Sequence, residues 1–483
     1  MISRVLAFLA ALAASLIFAS TVSAAPFPDD PDCPEGFSCG TVKVPLDWSG
    51  KRKGKLELPV QIADGKGPVI VALGGGPGQG FVRFGTGIQA LFNQYGTGYR
   101  VLVLDQRGTG ANAINCKPLQ SLVLTDFTVR PRPVVRKCGK QLGRSRAFYS
   151  TDSTLRDLEA IRKVVGVKKM AVMGVSYGTY VAEHFARRYP GRVSRLILDS
   201  VVPQENVDPF LRVHMRRAAF VLRSVCGKGR CGFQGDPARY LARLIARPPY
   251  RGRVPIPGKN IKLTVKGATV LDWLTTIASF RQQDIPEAAL AIRYAAQGQY
   301  RGLLALGYEA RHFAGRSAAD ELSWGLHAAT LCSDVKLPFS IAWNSRARRL
   351  AAVNRSLAKI PKRSFWPFNR ATGRTNGITQ ACLDWRPTRV KAPQNPGRIK
   401  VPELILAGQY DLSTPLAYAK RELRRAPRGK LVVVPKAGHS VALGGTCADK
   451  AIVSFLKGKA VGNPCRNAGA KAMTARSWMR LAG

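Results

Sequence analysis

Acidic side chains are scarce in this chain. Asp and Glu together number 29 against 75 Lys and Arg in 483 residues, a formal net charge of +46. Such an excess attracts polyanions in general. Two readings follow: adhesion to an anionic cell wall or acidic polymer, or an Arg-rich solvated surface, which the scattering of the basic residues favours. No nucleic-acid-binding signature accompanies the charge, so any hold on DNA is expected to be non-specific and salt-sensitive. Histidine is also sparse, at five residues, with no C-x-x-C pair and no H-E-x-x-H helix, which argues against a zinc site. Beyond the first residues no apolar run reaches 18 residues, which leaves no candidate transmembrane helix. Internal repeats and long low-complexity tracts are absent too.

What is present begins with a leader. Arg4 precedes an apolar stretch from Val5 to Ser20, and Val22-Ser23-Ala24 supplies small residues at the cleavage positions, so residues 1–24 read as a secretory signal peptide. The mature protein is expected to be secreted, with association to the cell wall as the reading its charge would add. Ten cysteines fit an exported chain and fall into near neighbours: Cys33 with Cys39, Cys116 with Cys138, Cys226 with Cys231, Cys332 with Cys382, and Cys447 with Cys465. That pairing rests on proximity and even number.

The chain is organised around Lys168 to Pro190. Met170 to Met173 reads as a short buried strand, Gly174-Val175-Ser176-Tyr177-Gly178 as a sharp turn, and Thr179 to Tyr189 as a helix with apolar positions at helical spacing. A serine in such a turn is held out of the sheet with its hydroxyl exposed, and the flanking glycines let strand and helix come close. Upstream, Cys39 to Trp48 and Lys55 to Ile62 suit a hairpin, and Pro68 to Leu73 suits a strand covered on both faces. The latter ends in Gly74-Gly75-Gly76-Pro77-Gly78-Gln79-Gly80, a loop whose backbone N–H groups can approach a developing oxyanion. Gly75 or Gly76 is the expected donor there, with the Tyr177 N–H as the second. Tyr99 to Leu104 is a further strand, running into Asp105 and Arg107, read as a buried pair that stabilises the turn. Asp152 to Val165 follows as a helix, with Thr154 and Asp157 at capping-box spacing. Val193 to Leu198 is the next strand.

This alternation implies an α/β fold with a mostly parallel, doubly covered sheet. Residues 25–202 form its first part. Residues 203–400 break the pattern and read as a mainly helical cap with disulfide-linked elements, with helices at Val207 to Arg223, Ala268 to Phe280, Pro286 to Ala296 and Asp320 to Cys332. Trp273, Trp324 and Trp385 are expected to pack within it. Residues 401–483 resume the core and end in a basic tail. There Glu403 to Ala407 runs into Asp411, and Lys430 to Val434 into His439, each just past the carboxyl end of a strand, where open α/β sheets place ligands. Ser176, Asp411 and His439 thus follow in the order of α/β hydrolases.

The segments VPLDW, GGGPGQG, LDQRGTG, GVSYGTY, LILDSVV, AGQYDLSTP and AGHS, with Leu331 to Asp334 and Cys382 to Trp385, resemble the secreted tripeptidyl-aminopeptidase branch of the prolyl-aminopeptidase-like α/β hydrolases. The resemblance implies a serine peptidase that removes short pieces from peptide N-termini without a cofactor, with Ser176 as nucleophile, Asp411 as orienting acid and His439 as base. Prolyl aminopeptidases carry His before Gly-Gly-Pro-Gly, whereas Gly74 stands here, so strict proline specificity does not carry over. A carboxylic-ester hydrolase using the same triad is the alternative, and a polycation-like binding protein a third reading. The substrate's ammonium group needs an acid, for which Asp334 and Glu321 are the first candidates and Asp320, Glu287 and Asp284 the others.

Overall fold

The computed structural model describes residues 27–28, 30–122, 131–232, 234–256, 258, 260–315, 317–390, 395–442, 444–445 and 447–466. The expected signal peptide and the end of the basic tail lie outside the described residues.

The strands in chain order are β1 (Phe37–Pro45), β2 (Lys55–Ala63), β3 (Val69–Leu73), β4 (Arg100–Leu104), β5 (Met170–Val175), β6 (Val193–Asp199), β7 (Tyr250–Arg253), β8 (Lys262–Val265), β9 (Glu403–Gly408) and β10 (Gly429–Val434). Eight of them make one sheet in the order β1-β2-β4-β3-β5-β6-β9-β10. β1 pairs antiparallel with β2, and β2 with β4, while the remaining pairs are parallel. This is the α/β-hydrolase fold. Its central strands are apolar throughout because helices cover both faces, and β3 and β5 are buried along their whole length.

One buried cluster lies on the side of the Thr151–Val164 and Tyr177–Arg188 helices, with Leu158, Val181 and Phe185. A second, with Phe84, Ile88, Ile452 and Phe455, covers the other face. The largest belongs to the insertion between β6 and β9, which among the described residues holds nine α-helices and the β7–β8 hairpin. Trp273, Trp324 and Trp385 are all buried there, as packing residues.

Several local expectations are corrected. Arg107 does not pair with Asp105. It makes a bidentate ion pair with Asp157 at 2.5 and 2.6 Å, both side chains being 1% exposed, and Asp157 also accepts the Trp48 indole N–H. Asp105 instead accepts the amides of Phe81 and Val82 just past the glycine loop. The helix before the elbow starts at Thr151 with Ser150 as its N-cap, so Thr154 and Asp157 lie inside it and form no capping box. The helix expected from Val207 starts at Arg212, where Asp208 accepts its amide and Leu211 is left-handed at φ 54°. The helix expected from Asp320 starts at Trp324 behind Ser323, whose hydroxyl accepts the Leu326 amide. The insertion also carries the β7–β8 hairpin, and the helices Pro237–Ala246, Arg301–Ala314 and Arg346–Lys359 add to those expected.

All ten cysteines pair as their proximity suggested: Cys33–Cys39, Cys116–Cys138, Cys226–Cys231, Cys332–Cys382 and Cys447–Cys465. No helix among the described residues is long and apolar enough to cross a membrane.

Candidate active site

Ser176 follows β5 directly and caps the Tyr177–Arg188 helix with φ 56° and ψ −123°. A non-glycine residue holds such a conformation only where its surroundings enforce it. The enforcement is visible on both sides. A Cβ on Gly178 would meet the Leu73 carbonyl at 2.2 Å, and one on Gly174 the Gly178 carbonyl at 2.4 Å. Strand, turn and helix therefore close on one another only with bare backbone at 174 and 178. The Ser176 amide is tied to the Asp199 carbonyl of β6 at 2.9 Å. Its side chain is left partly exposed within buried neighbours.

Two further loops leave neighbouring strands on the same edge. After β9, Asp411 is buried and receives the amides of Ser413 and Thr414 at 2.7 and 3.0 Å and the Thr414 hydroxyl at 2.6 Å. After β10, His439 places Nδ1 2.8 Å from Asp411 Oδ2. With Asp411 ionised, Nδ1 carries the proton and Nε2 is left as the basic nitrogen. Burial disfavours the Asp411 charge, but the His439 charge and these hydrogen bonds outweigh it and hold the carboxyl below its ordinary range. Burial likewise disfavours imidazolium, yet Asp411 and then Asp199 raise His439 above its ordinary value.

The insertion supplies support that the sequence reading missed. The Ser279 carbonyl accepts the His439 amide at 2.7 Å. The Ser279 hydroxyl accepts the amides of Leu412 and Ser413 at 3.1 and 2.9 Å and donates to Asp411 at 3.3 Å. Phe280 presents its ring to the imidazole, with centroids 5.4 Å apart. Nothing in the sequence pointed to Ser279, which lies inside a helix more than a hundred residues from either loop. Thr414 was within reach, because it belongs to the AGQYDLSTP segment.

The glycine loop lies against Ser176. A Cβ on Gly75 would stand 3.1 Å from Ser176 Cβ and 3.6 Å from its Oγ. The Gly75 N–H is engaged by its own loop, donating to Gln79 Oε1 at 3.1 Å. The insertion braces this loop from outside: Ser323 N–H donates to the Gly78 carbonyl at 2.9 Å, Gly80 N–H to Glu321 at 3.0 Å, and His327 Nδ1 lies 3.0 Å from the Pro77 carbonyl. Burial pushes His327 down to about 4, which keeps it neutral.

The acids proposed for an ammonium group differ in burial and in partners. Asp334 is buried, receives the Thr151 hydroxyl, and through that hydroxyl connects to the Tyr177 phenol 2.5 Å away. Its Oδ1 has no hydrogen-bond partner, and burial pushes its carboxyl up to about 7. Glu321 is paired with Arg83 at 3.1 Å near the surface, and Asp284 with Arg281 at 2.5 Å. Asp320 and Glu287 are exposed. Among the described residues no three His, Cys, Asp or Glu side chains gather as a metal-binding group.

Comparison with known proteins fits this arrangement. Residues 68–221 match the α/β-hydrolase fold family, and residues 368–464 match the TAP-like protein family. A tripeptidyl aminopeptidase of Streptomyces lividans is 24% identical over 67% of this chain, and the match spans 59% of that enzyme's length. The hydrolase YuaR of Escherichia coli K12, whose activity is described as putative, is 24% identical over 76% of this chain and 74% of its own. Serine protease Hip1 of Mycobacterium tuberculosis is 34% identical over 22% of this chain and 21% of its own. The strand order, the elbow and the two family matches agree: the chain has the α/β-hydrolase fold, and its residues 368–464 are similar to the TAP-like protein family.

Proposed function

We propose that the protein is an exported serine aminopeptidase that releases short peptides, such as tripeptides, or single residues from peptide N-termini through an acyl-enzyme. Ser176 attacks the carbonyl, His439 takes its proton and returns it to the leaving amine, and Asp411 holds the imidazole in the required tautomer. The Tyr177 amide and Gly75 or Gly76 stabilise the oxyanion. Supporting this most directly is the 2.8 Å contact of His439 Nδ1 with Asp411, on the sheet edge where Ser176 stands at φ 56°. The names of the relatives support peptide rather than ester chemistry, and five disulfides support export.

For the substrate's ammonium group, Asp334 is the better of the two first candidates. It has an oxygen without a partner close to the elbow, whereas Glu321 is already neutralised by Arg83. The positive surface adds a non-specific affinity for anionic polymers.

The test is hydrolysis of a matched set by the wild type and Ser176→Ala: tripeptidyl and prolyl amides with free amines, their N-acylated forms and a short acyl ester. Turnover confined to the free-amine amides and lost in the variant supports the proposal. Turnover of the ester alone assigns the protein to carboxylic-ester hydrolysis.

A further inference from the structure

The LILDSVV segment ends β6 with an acid that the mechanism above does not use. Asp199 is completely buried, yet it touches both halves of the site. Its backbone carbonyl accepts the Ser176 amide at 2.9 Å. Its Oδ2 accepts the amide of Ala442, three residues beyond His439, at 2.9 Å. Its Oδ1 accepts the Ser200 hydroxyl at 3.0 Å, and that hydroxyl accepts the Ser440 amide at 2.8 Å. Ser200 itself sits at φ 59°, a conformation that costs energy in a non-glycine residue and that these bonds maintain. One residue therefore fastens the loop of the base to the strand end that fastens the nucleophile.

We propose that Asp199 is a positioning residue for His439: a second carboxylate that holds the 440–442 loop in place and adds negative charge around the imidazolium formed when Ser176 attacks. The inference rests on the assignment of Ser176 and His439 made above. Two carboxylates act on the His439 charge, Asp411 from the loop after β9 and Asp199 from the end of β6. Behind Asp411, Arg217 and His214 approach from the Arg212–Cys226 helix. Phe280 and Thr414 contribute uncharged contacts to the ring. Burial raises the Asp199 carboxyl to about 6 against the pull of two loop amides and His439, so it is ionised where the enzyme would work, near neutral pH and above.

Asparagine keeps the fastening without the charge: its amide oxygen can accept the Ala442 N–H, and its NH2 can donate to the Ser200 hydroxyl, which has a second lone pair beside the one that takes the Ser440 amide. The experiment is therefore the pH dependence of kcat/KM for wild type and Asp199→Asn on a substrate the wild type cleaves. Removing a negative charge near His439 lowers the pKa of the imidazolium, and the base works when neutral. The acid limb of Asp199→Asn should thus move to lower pH by about half a unit or more, with thermal unfolding close to wild type. A limb that stays in place overturns the proposal. If Asp199→Asn does not fold, Ser200→Ala carries the test, since it keeps the charge and cuts the link to Ser440. A lowered plateau supports the bracing, and a wild-type profile overturns it. Ser176→Ala run alongside separates the failures: turnover remaining in that variant refutes the assignment of the site, whereas its loss with an unmoved Asp199→Asn limb refutes only the role of Asp199.

Discussion

The backbone carbonyl of Ser279 accepts the backbone amide of His439 at 2.7 Å. A helix of the insertion thereby fixes the height of the imidazole above the sheet, and the Ser279 hydroxyl fixes the Asp411 loop from the same point. The closeness is tight enough to dictate the neighbouring residue. A Cβ on Gly438 would lie 2.1 Å from the Ser279 carbonyl. Gly438→Ala is expected to displace the His439 loop and reduce kcat by about 10²-fold or more, in keeping with the sensitivity of catalysis to misplacements of an ångström. Wild-type kcat in that variant would refute the role given to this contact.

The Asp411 contact carries a tautomer as well as a charge. In Asp411→Asn an amide N–H can face Nδ1, which favours the proton on Nε2, the nitrogen that acts as base in the proposed mechanism. Losses near 10⁴-fold in kcat accompany that change in serine proteases, and a similar loss is expected here. Steady-state kinetics with active-site titration measures it.

pH should act through the same pair. His439 is raised, so its acid limb in kcat/KM is expected above pH 6.5, the ordinary value for the group. For stability the signs differ. The raised His439 contributes stability that is complete below its unfolded pKa and lost as pH rises through the folded one. The lowered Asp411 contributes stability that is present above its unfolded pKa and lost as pH falls through the folded one. Denaturant midpoints of wild type and His439→Ala across pH 4 to 9 should therefore converge at the alkaline end.

Gln79 occupies a donor that the proposed oxyanion needs. With its Oε1 on the Gly75 amide, a substrate carbonyl using that amide has to displace it. Gln79→Ala is expected to raise kcat/KM two- to tenfold, the equivalent of about 0.5–1.5 kcal/mol for one net hydrogen bond. A fall instead would mean that Gln79 holds the loop in its active shape.

Removing one partner of the Arg107–Asp157 pair leaves a buried charge uncompensated. Arg107→Ala or Asp157→Ala is expected to cost about 3–5 kcal/mol, whereas loss of the exposed Arg83–Glu321 pair should cost at most about 1 kcal/mol. Chemical denaturation of the three variants compares the two. Equal effects would refute the distinction.

Much of this protein was legible along the chain. A buried parallel strand is apolar along its whole length, so β3, β5 and β9 declare themselves, and the loops that leave them begin at glycine or at a polar residue. Gly174 and Gly178 could be read because close backbone approach tolerates no side chain. Cysteines close in sequence paired as expected because short loops are cheap to close. The insertion was less legible. Its helices pack on one another, and burial from several sides weakens the periodicity that marks a helix with one wet face.

The order of Ser176, Asp411 and His439, the strand before each and the turn that presents the serine were determined by the sequence itself, because they depend on local spacing and on glycine. Partners across the chain were decided only in three dimensions. Arg107 chose Asp157 over Asp105 because strand β4 ends beside the helix that follows Ser150, and no spacing encodes that meeting. Ser279 and Asp199 reach the His439 loop for the same reason: residues 160 and 240 positions away become neighbours once the sheet is ordered and the insertion folds back over its edge, and hydrogen bonds depend on distance in space alone.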